Sequence, residues 1–200
     1  MQKDNGKNIF ELDTDLRIEV TQFCELSMGA NGVDDDISDQ PPRIDIKGYR
    51  LRDDDSGEED LVVSASAYLV PWNNCWEKAD NFSHDTAGIA KVICRKDGCI
   101  SPRYTNEWGS IACFMDRLYV PEEFRNRGFA SLLQKNLGDL LQKVVPLLCG
   151  IYAYTSPWEL LDDKDAYKKR QTELLRFYKK FGFKQIKDTP VIWMPVHCFD

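Results

Sequence analysis

Histidine is nearly absent from this chain: only His84 and His197 occur among its 200 residues. Neither stands in a pattern with cysteines or carboxylates that builds a metal centre, so no metal is expected. Cys94 and Cys99 are not at a zinc-ligand spacing either. Long apolar runs are missing too. The longest, Val144 to Ala153, contains Pro146 and Gly150 and is too short to cross a bilayer, so no membrane partner is expected. There is no surplus of positive charge. A net charge of -7 argues against nucleic acid as a partner, because attraction to phosphates dominates that affinity. The same charge is compatible with a cationic acceptor. The seven cysteines are odd in number and scattered, which fits reduced thiols rather than a disulfide framework. None has the surroundings of a nucleophile. Met1 to Lys7 is polar and lacks the apolar region of a signal peptide. A cytoplasmic protein, monomeric or homodimeric, is therefore expected. With no internal repeat and no composition break, residues 1–200 read as a single domain long enough for a sizeable core.

What is present reads as alternating strands and helices. Leu16, Ile18 and Val20 alternate with Arg17, Glu19 and Thr21, as in a strand. Residues 27–42, with glycines, aspartates and Pro41-Pro42, read as a loop. Residues 43–70 read as a hairpin with an acidic tip at Asp53 to Asp60. The tip and the Asp34-Asp35-Asp36 run read as solvated loops. Residues 71–82 read as irregular, with Trp72 and Trp76 as packing residues. Asp85 to Arg95 reads as a helix, with Ile89, Val92 and Ile93 on its apolar face. Further on, Leu147 to Tyr154 reads as a strand, and Ser156-Pro157-Trp158-Glu159 carries a capping-box pattern. Tyr167, Gln171, Leu174, Leu175 and Tyr178 share one helical face. Gly182 terminates that helix, and Phe183 to Ile186 and Val191 to Val196 close the chain as strands.

The centre of the chain is the most informative. Ile111 to Val120 reads as a strand, and Pro121 stops it because proline cannot donate to a ladder. A helix follows, with Phe129, Leu133, Leu137, Leu140 and Val144 at helical spacing. Its start, Arg125 to Ala130, offers free backbone N–H groups and a positive dipole end, which together make an anion site. Gly128 lets a ligand approach the main chain closely.

This stretch resembles the central motif of the GCN5-related N-acetyltransferase (GNAT) superfamily: Gln/Arg-x-x-Gly-x-Gly/Ala after a central strand. Here it is Arg125-x-x-Gly128-x-Ala130 after Leu118-Tyr119-Val120. The later run Tyr178-Lys179-Lys180-Phe181-Gly182-Phe183 also resembles the family, whose last long helix often ends with a tyrosine just before Gly-Phe. The resemblance covers residues 111–196. Residues 1–110 fit it loosely, and 27–42 lack the helices the family has there.

The resemblance implies an α/β fold: a mixed, strongly twisted sheet flanked by helices. It implies transfer of an acetyl group from acetyl-CoA, as co-substrate, to a primary amine of a small molecule or a protein. Asn126, Arg127, Gly128, Phe129, Ala130 and Ser131, following Arg125, would hold the pyrophosphate. Leu118, Tyr119 and Val120 would line the pantetheine arm, and Gln171 would replace an asparagine that contacts the cofactor in some members. Tyr178 would protonate the leaving thiolate. Asp116 would take the acceptor's proton, or would be only a strand-end carboxylate. Two other functions remain open: transfer of a longer acyl group, and CoA binding without catalysis in a regulatory or interaction module.

Overall fold

The computed structural model describes residues 7–13, 16–23, 42–52, 54, 56–80, 82–106, 109–157 and 163–196. Its frame is one eight-stranded sheet. The strands are β1 (Lys7–Asp13), β2 (Leu16–Phe23), β3 (Arg43–Leu51), β4 (Glu59–Pro71), β5 (Ile111–Tyr119), β6 (Leu148–Tyr154), β7 (Lys184–Gln185) and β8 (Val191–Pro195). Their order in space is β1-β2-β3-β4-β5-β6-β8-β7. Neighbours are antiparallel except β5 and β6. That pair is parallel because a helix, α3 (Phe129–Val144), carries the chain back between them.

Helices cover both faces of the sheet. α3 and α4 (Lys164–Lys179) pack on one side. α1 (Cys75–Asp80) and α2 (His84–Ile93) pack on the other. The sequence dictates these choices. Leu133, Leu137, Leu140 and Leu141 recur on one stripe of α3, and all are buried against Ile18, Ile46, Val63, Cys113 and Ile151. Each such side chain contributes about 1.5–3 kcal/mol by leaving water. Ile89, Ala90 and Ile93 do the same for α2, against Phe114 and Tyr152.

Four details differ from the sequence-based expectation. Lys7–Asp13, which precedes the first strand expected, forms β1 by pairing with β2. Residues 71–82 are not irregular throughout: a short 3-10 turn over Trp72–Asn74 leads into α1. α2 begins at His84 because Ser83 and Thr86 cap each other's backbone N–H groups. Of the capping-box pattern at Ser156-Pro157-Trp158-Glu159, Trp158 and Glu159 lie outside the described residues. The last helix begins at Lys164, where Asp163 accepts hydrogen bonds from the N–H groups of Asp165 and Ala166. Trp72 packs on the α1–α2 side, as expected of a packing residue, but Trp76 is exposed. The expected loop at 27–41, with its acidic run, and His197 lie outside the described residues. Among the described residues, no helix is long and apolar enough to cross a membrane.

Candidate functional site

The parallel pairing of β5 and β6 stops at Met115 and Ala153. Beyond that point the two strands part, and each is held by its other neighbour. On the β5 side the cause is a bulge. Ala67 faces Met115 and Ser66 faces Arg117, so Asp116 is an extra residue with no counterpart on β4. The bulge resets the alternation. Met115 and Leu118, three apart rather than two, both meet the core cluster under α3, and Asp116 is turned outward.

On the β6 side, Tyr154 still pairs with Val191. The Thr155 N–H donates to the Pro190 carbonyl at 2.9 Å, and its hydroxyl donates to the same oxygen at 2.7 Å. From α4, the Gln171 amide N–H donates to the Thr155 carbonyl at 3.0 Å. These bonds draw the end of β6 away from β5.

Between the parted strands lies a cleft of about 750 Å³. One wall is Asp116 to Val120, where Arg117, Leu118 and Tyr119 pair with β4 on one edge and, among the described residues, with no strand on the other. At the end of that wall stand Arg125, Asn126, Gly128, Phe129, Ala130 and Ser131. The opposite wall is Tyr154 to Pro157, backed by Leu174, Phe177 and Tyr178 of α4. Asp85 of α2 also lines it, as do Phe124, Arg170 and Glu173.

The turn before α3 is built for a main-chain site. Gly128 caps the helix at φ 90°, and Asn126 is left-handed as well, at φ 62°. Such angles favour glycine and asparagine. Among the described residues no side chain caps this helix end, and its first turn carries no acid. The donors there are therefore left for an anion. Arg125 steadies the turn through Nε, which donates to the Val120 carbonyl at 3.3 Å. The Arg127 guanidinium sits over the Phe124 ring, 5.5 Å from its centroid. It does not line the cleft.

Tyr178 lies at the base of the wall and is 9% exposed. Phe177 and Phe183 meet its ring edge-on, at 5.3 and 5.2 Å between centroids. Burial pushes its hydroxyl pKa up to about 12, so the group keeps its proton throughout the neutral range. Asp116 accepts a hydrogen bond from the Ser66 hydroxyl at 3.2 Å.

Most of the residues singled out in the sequence thus meet in one cleft: Asp116, Leu118, Tyr119, Val120, Arg125, Asn126, Gly128, Phe129, Ala130, Ser131 and Tyr178. Gln171 and Arg127 stand behind it. Asp85 and Tyr154 were missed. Asp85 had read only as the first residue of a helix, and it is half-buried. Burial raises its carboxyl pKa, the His84 beside it pulls it back, and Asp116 adds to the rise. Gly88, one turn further along α2, lies against the Tyr154 ring: a Cβ there would be 2.9 Å from Cε2. That mid-helix glycine, three residues from Asp85, was the one signal that this helix face meets something closely. Among the described residues, no group of three His, Cys, Asp or Glu side chains is placed to hold a metal ion.

No family model matches the chain, and no curated protein matches it either. Solved structures with a similar course include Arabidopsis thaliana NAA60 in complex with acetyl-CoA, at 18% identity and TM-score 0.43, over 76% of this chain and 68% of that one. A mutant AtaT toxin aligns at 10% identity and TM-score 0.42, over 77% and 67%. AtaTR bound with AcCoA aligns at 13% and 0.39, over 77% and 70%. At these values the likeness carries no function to this chain, whose own residues have to supply it.

Burial of Tyr178 has a measurable consequence. In an ultraviolet titration, the difference between the wild-type protein and Tyr178→Phe should appear near pH 12. The wild-type contribution to stability from this group is complete below about pH 10, the ordinary tyrosine value. It is lost as pH rises toward 12, because the unfolded chain releases the proton first. A difference already complete near pH 10 would contradict the buried hydroxyl. The chain has the fold that its resemblance to the GNAT superfamily implied: a mixed sheet flanked by helices, with the glycine turn between a central strand and an amphipathic helix.

Proposed function

We propose that this chain is an N-acetyltransferase that moves an acetyl group from acetyl-CoA to a primary amine. The observation that carries the proposal is the cleft where β5 and β6 part. It joins a half-paired strand edge, a glycine-started helix end and a protonated tyrosine.

Each feature suits one part of the task. The N–H groups at the start of α3, from Asn126 to Ser131, would receive the pyrophosphate of acetyl-CoA. The free edge of Leu118 to Val120 would pair with the amides of the pantetheine arm, as an added strand does. A backbone N–H of that edge, at Val120, would polarise the thioester carbonyl as negative charge develops on its oxygen. The acceptor nitrogen then attacks the carbonyl carbon, and the C–S bond breaks. The departing thiolate takes a proton from the Tyr178 hydroxyl, and the surplus proton on the attacking nitrogen passes to the phenolate, directly or through water, as the amide forms. A free thiol has a pKa of about 8.5 and tyrosine about 10. The buried Tyr178 therefore stays protonated until the sulfur has gathered charge. An amine at neutral pH is mostly ammonium and must first lose a proton. Asp116, turned into the cleft by the bulge, is the base we assign, acting directly or through water. Gln171 keeps the opposite wall in place through Thr155. The acceptor would be a small amine, an aminoglycoside-like compound or a protein amine, entering beside Asp85.

Release of free thiol from acetyl-CoA, followed across polyamines, aminoglycosides and peptides, tests the proposal. Turnover with at least one amine is expected. Tyr178→Phe keeps the ring contacts and should lower kcat on the order of 100-fold, with acetyl-CoA affinity unchanged. Full activity in this variant would remove Tyr178 from the mechanism. Asp116→Asn should alter the acidic limb of the pH–rate profile. A normal limb in a folded variant would leave Asp116 only its bond to Ser66. Binding of acetyl-CoA with no turnover on any amine would favour a CoA-binding interaction module instead.

A further inference from the structure

The first turn of α2 borders the cleft and is held there from two sides. Phe82, just before it, stacks on Tyr68 of β4, with 5.7 Å between ring centroids. Gly88 lies against Tyr154 of β6, so closely that a Cβ would come within 2.9 Å of the ring. The turn itself is fixed by the mutual caps of Ser83 and Thr86, and the Thr86 hydroxyl also donates to the Ala79 carbonyl at 2.9 Å. Asp85 stands between these supports and lines the cleft together with Asp116. Ser66, which holds Asp116 at 3.2 Å, is two residues from Tyr68 and so lies on the same face of β4. Both carboxyl groups therefore belong to one side of the cleft. Asp85 is half-buried, and among the described residues it has no hydrogen bond and no ion pair. Its neighbours in the lining are already engaged: Arg170 donates to Glu173 at 3.1 Å and Arg125 to the Val120 carbonyl at 3.3 Å. Burial works against the ionised form of Asp85, and a cation carried in by a ligand would offset that.

We propose that Asp85 is a specificity-determining residue that binds a second ammonium group of the acceptor, so that the preferred acceptor is an aliphatic diamine. The inference rests on the acetyl-transfer reading above, in which Asp116 serves the amine that reacts. One nitrogen of the diamine loses a proton to Asp116 and attacks the thioester. Its C–N bond forms as the C–S bond breaks, and its surplus proton passes to the Tyr178 phenolate. The other nitrogen stays protonated and donates to Asp85. The products are a monoacetylated diamine, still cationic at its far end, and CoA with a free thiol. A monoamine of the same length has nothing to offer Asp85 and leaves it unpartnered. A structural role for this carboxylate makes a different demand. As an acid in the first turn of α2, Asp85 favours the positive end of that helix. That effect is the same whichever acceptor is bound, so a comparison of acceptors separates the two roles.

The test follows thiol release from acetyl-CoA by the wild-type chain, Asp85→Asn and Asp85→Glu, each checked for folding by circular dichroism. The acceptors are the linear diamines from diaminoethane to diaminohexane and the monoamines of matching carbon number. In the wild type, kcat/KM for the best diamine should exceed that for its monoamine by about 10-fold or more, chiefly through KM. Asp85→Asn should bring this ratio close to one. Asp85→Glu, whose carboxylate reaches one methylene further, should keep the preference and move the optimum to a shorter diamine. A ratio near one in the wild type, a ratio that survives Asp85→Asn, or an optimum that stays put in Asp85→Glu would overturn the proposal and leave acetyl transfer standing. So would diamines refused by a wild type that acetylates other amines. A wild type that acetylates no amine would instead overturn the acetyl-transfer reading, and this proposal with it.

Discussion

Everything about the candidate site depends on two adjacent parallel strands being forced apart halfway along their length. A parallel ladder is favourable and would continue if nothing prevented it. Two local constraints prevent it here. The extra residue at Asp116 spoils the register of β5, and Thr155 is already bonded to Pro190 and Gln171 when β6 would otherwise follow β5. Backbone groups that lose their partners must find others or face solvent. The cleft is where they face it. An extended ligand with amides of its own is the natural complement to such an edge.

The lining of the cleft also changes character along its length. Asp116 stands where the strands part, close enough to help raise the carboxyl pKa of Asp85. Val120 is four residues further on, about 13 Å along an extended chain. Past it comes the start of α3, with free N–H groups and no acid in its first turn. One end suits an ammonium and the other a phosphate. A thioester held between them would lie along the edge of Leu118 to Val120, in the cleft that Tyr178 also lines. The buried Tyr178 belongs to this design: an acid that ionised easily would give up its proton before the thiolate formed.

The legible part of the sequence was the part in which local chemistry and tertiary role coincide. Pro121, Gly128 and the leucines of α3 each act within a few residues of themselves, so strand end, turn and helix could be read directly. The same holds for Gly182 after α4 and for the hairpin of β3 and β4. Other features were set by contacts distant in sequence. Lys7–Asp13 is a strand only because β2 offers it an edge. The bulge at Asp116 exists only in register against Ser66 and Ala67. Asp85 reaches the cleft because Gly88 lets α2 press on Tyr154, a residue distant in the sequence and unmarked by any periodicity. Gln171 was legible as a polar residue on an important helix face. Its partner, Thr155, was not.

The central claim is that the turn before α3 holds the pyrophosphate of acetyl-CoA, and calorimetric titration tests it most directly. Acetyl-CoA is titrated into the wild-type protein and into Gly128→Glu. A Cβ at position 128 meets nothing within 4 Å, although φ is +90°. The variant should therefore fold, at a cost of about 1–3 kcal/mol for the strained backbone, while placing a carboxylate at the anion site. Saturable heat with the wild type, and none with a variant whose circular dichroism is unchanged, is the predicted result. Equal binding by both proteins would contradict the claim, and so would no binding by the wild type.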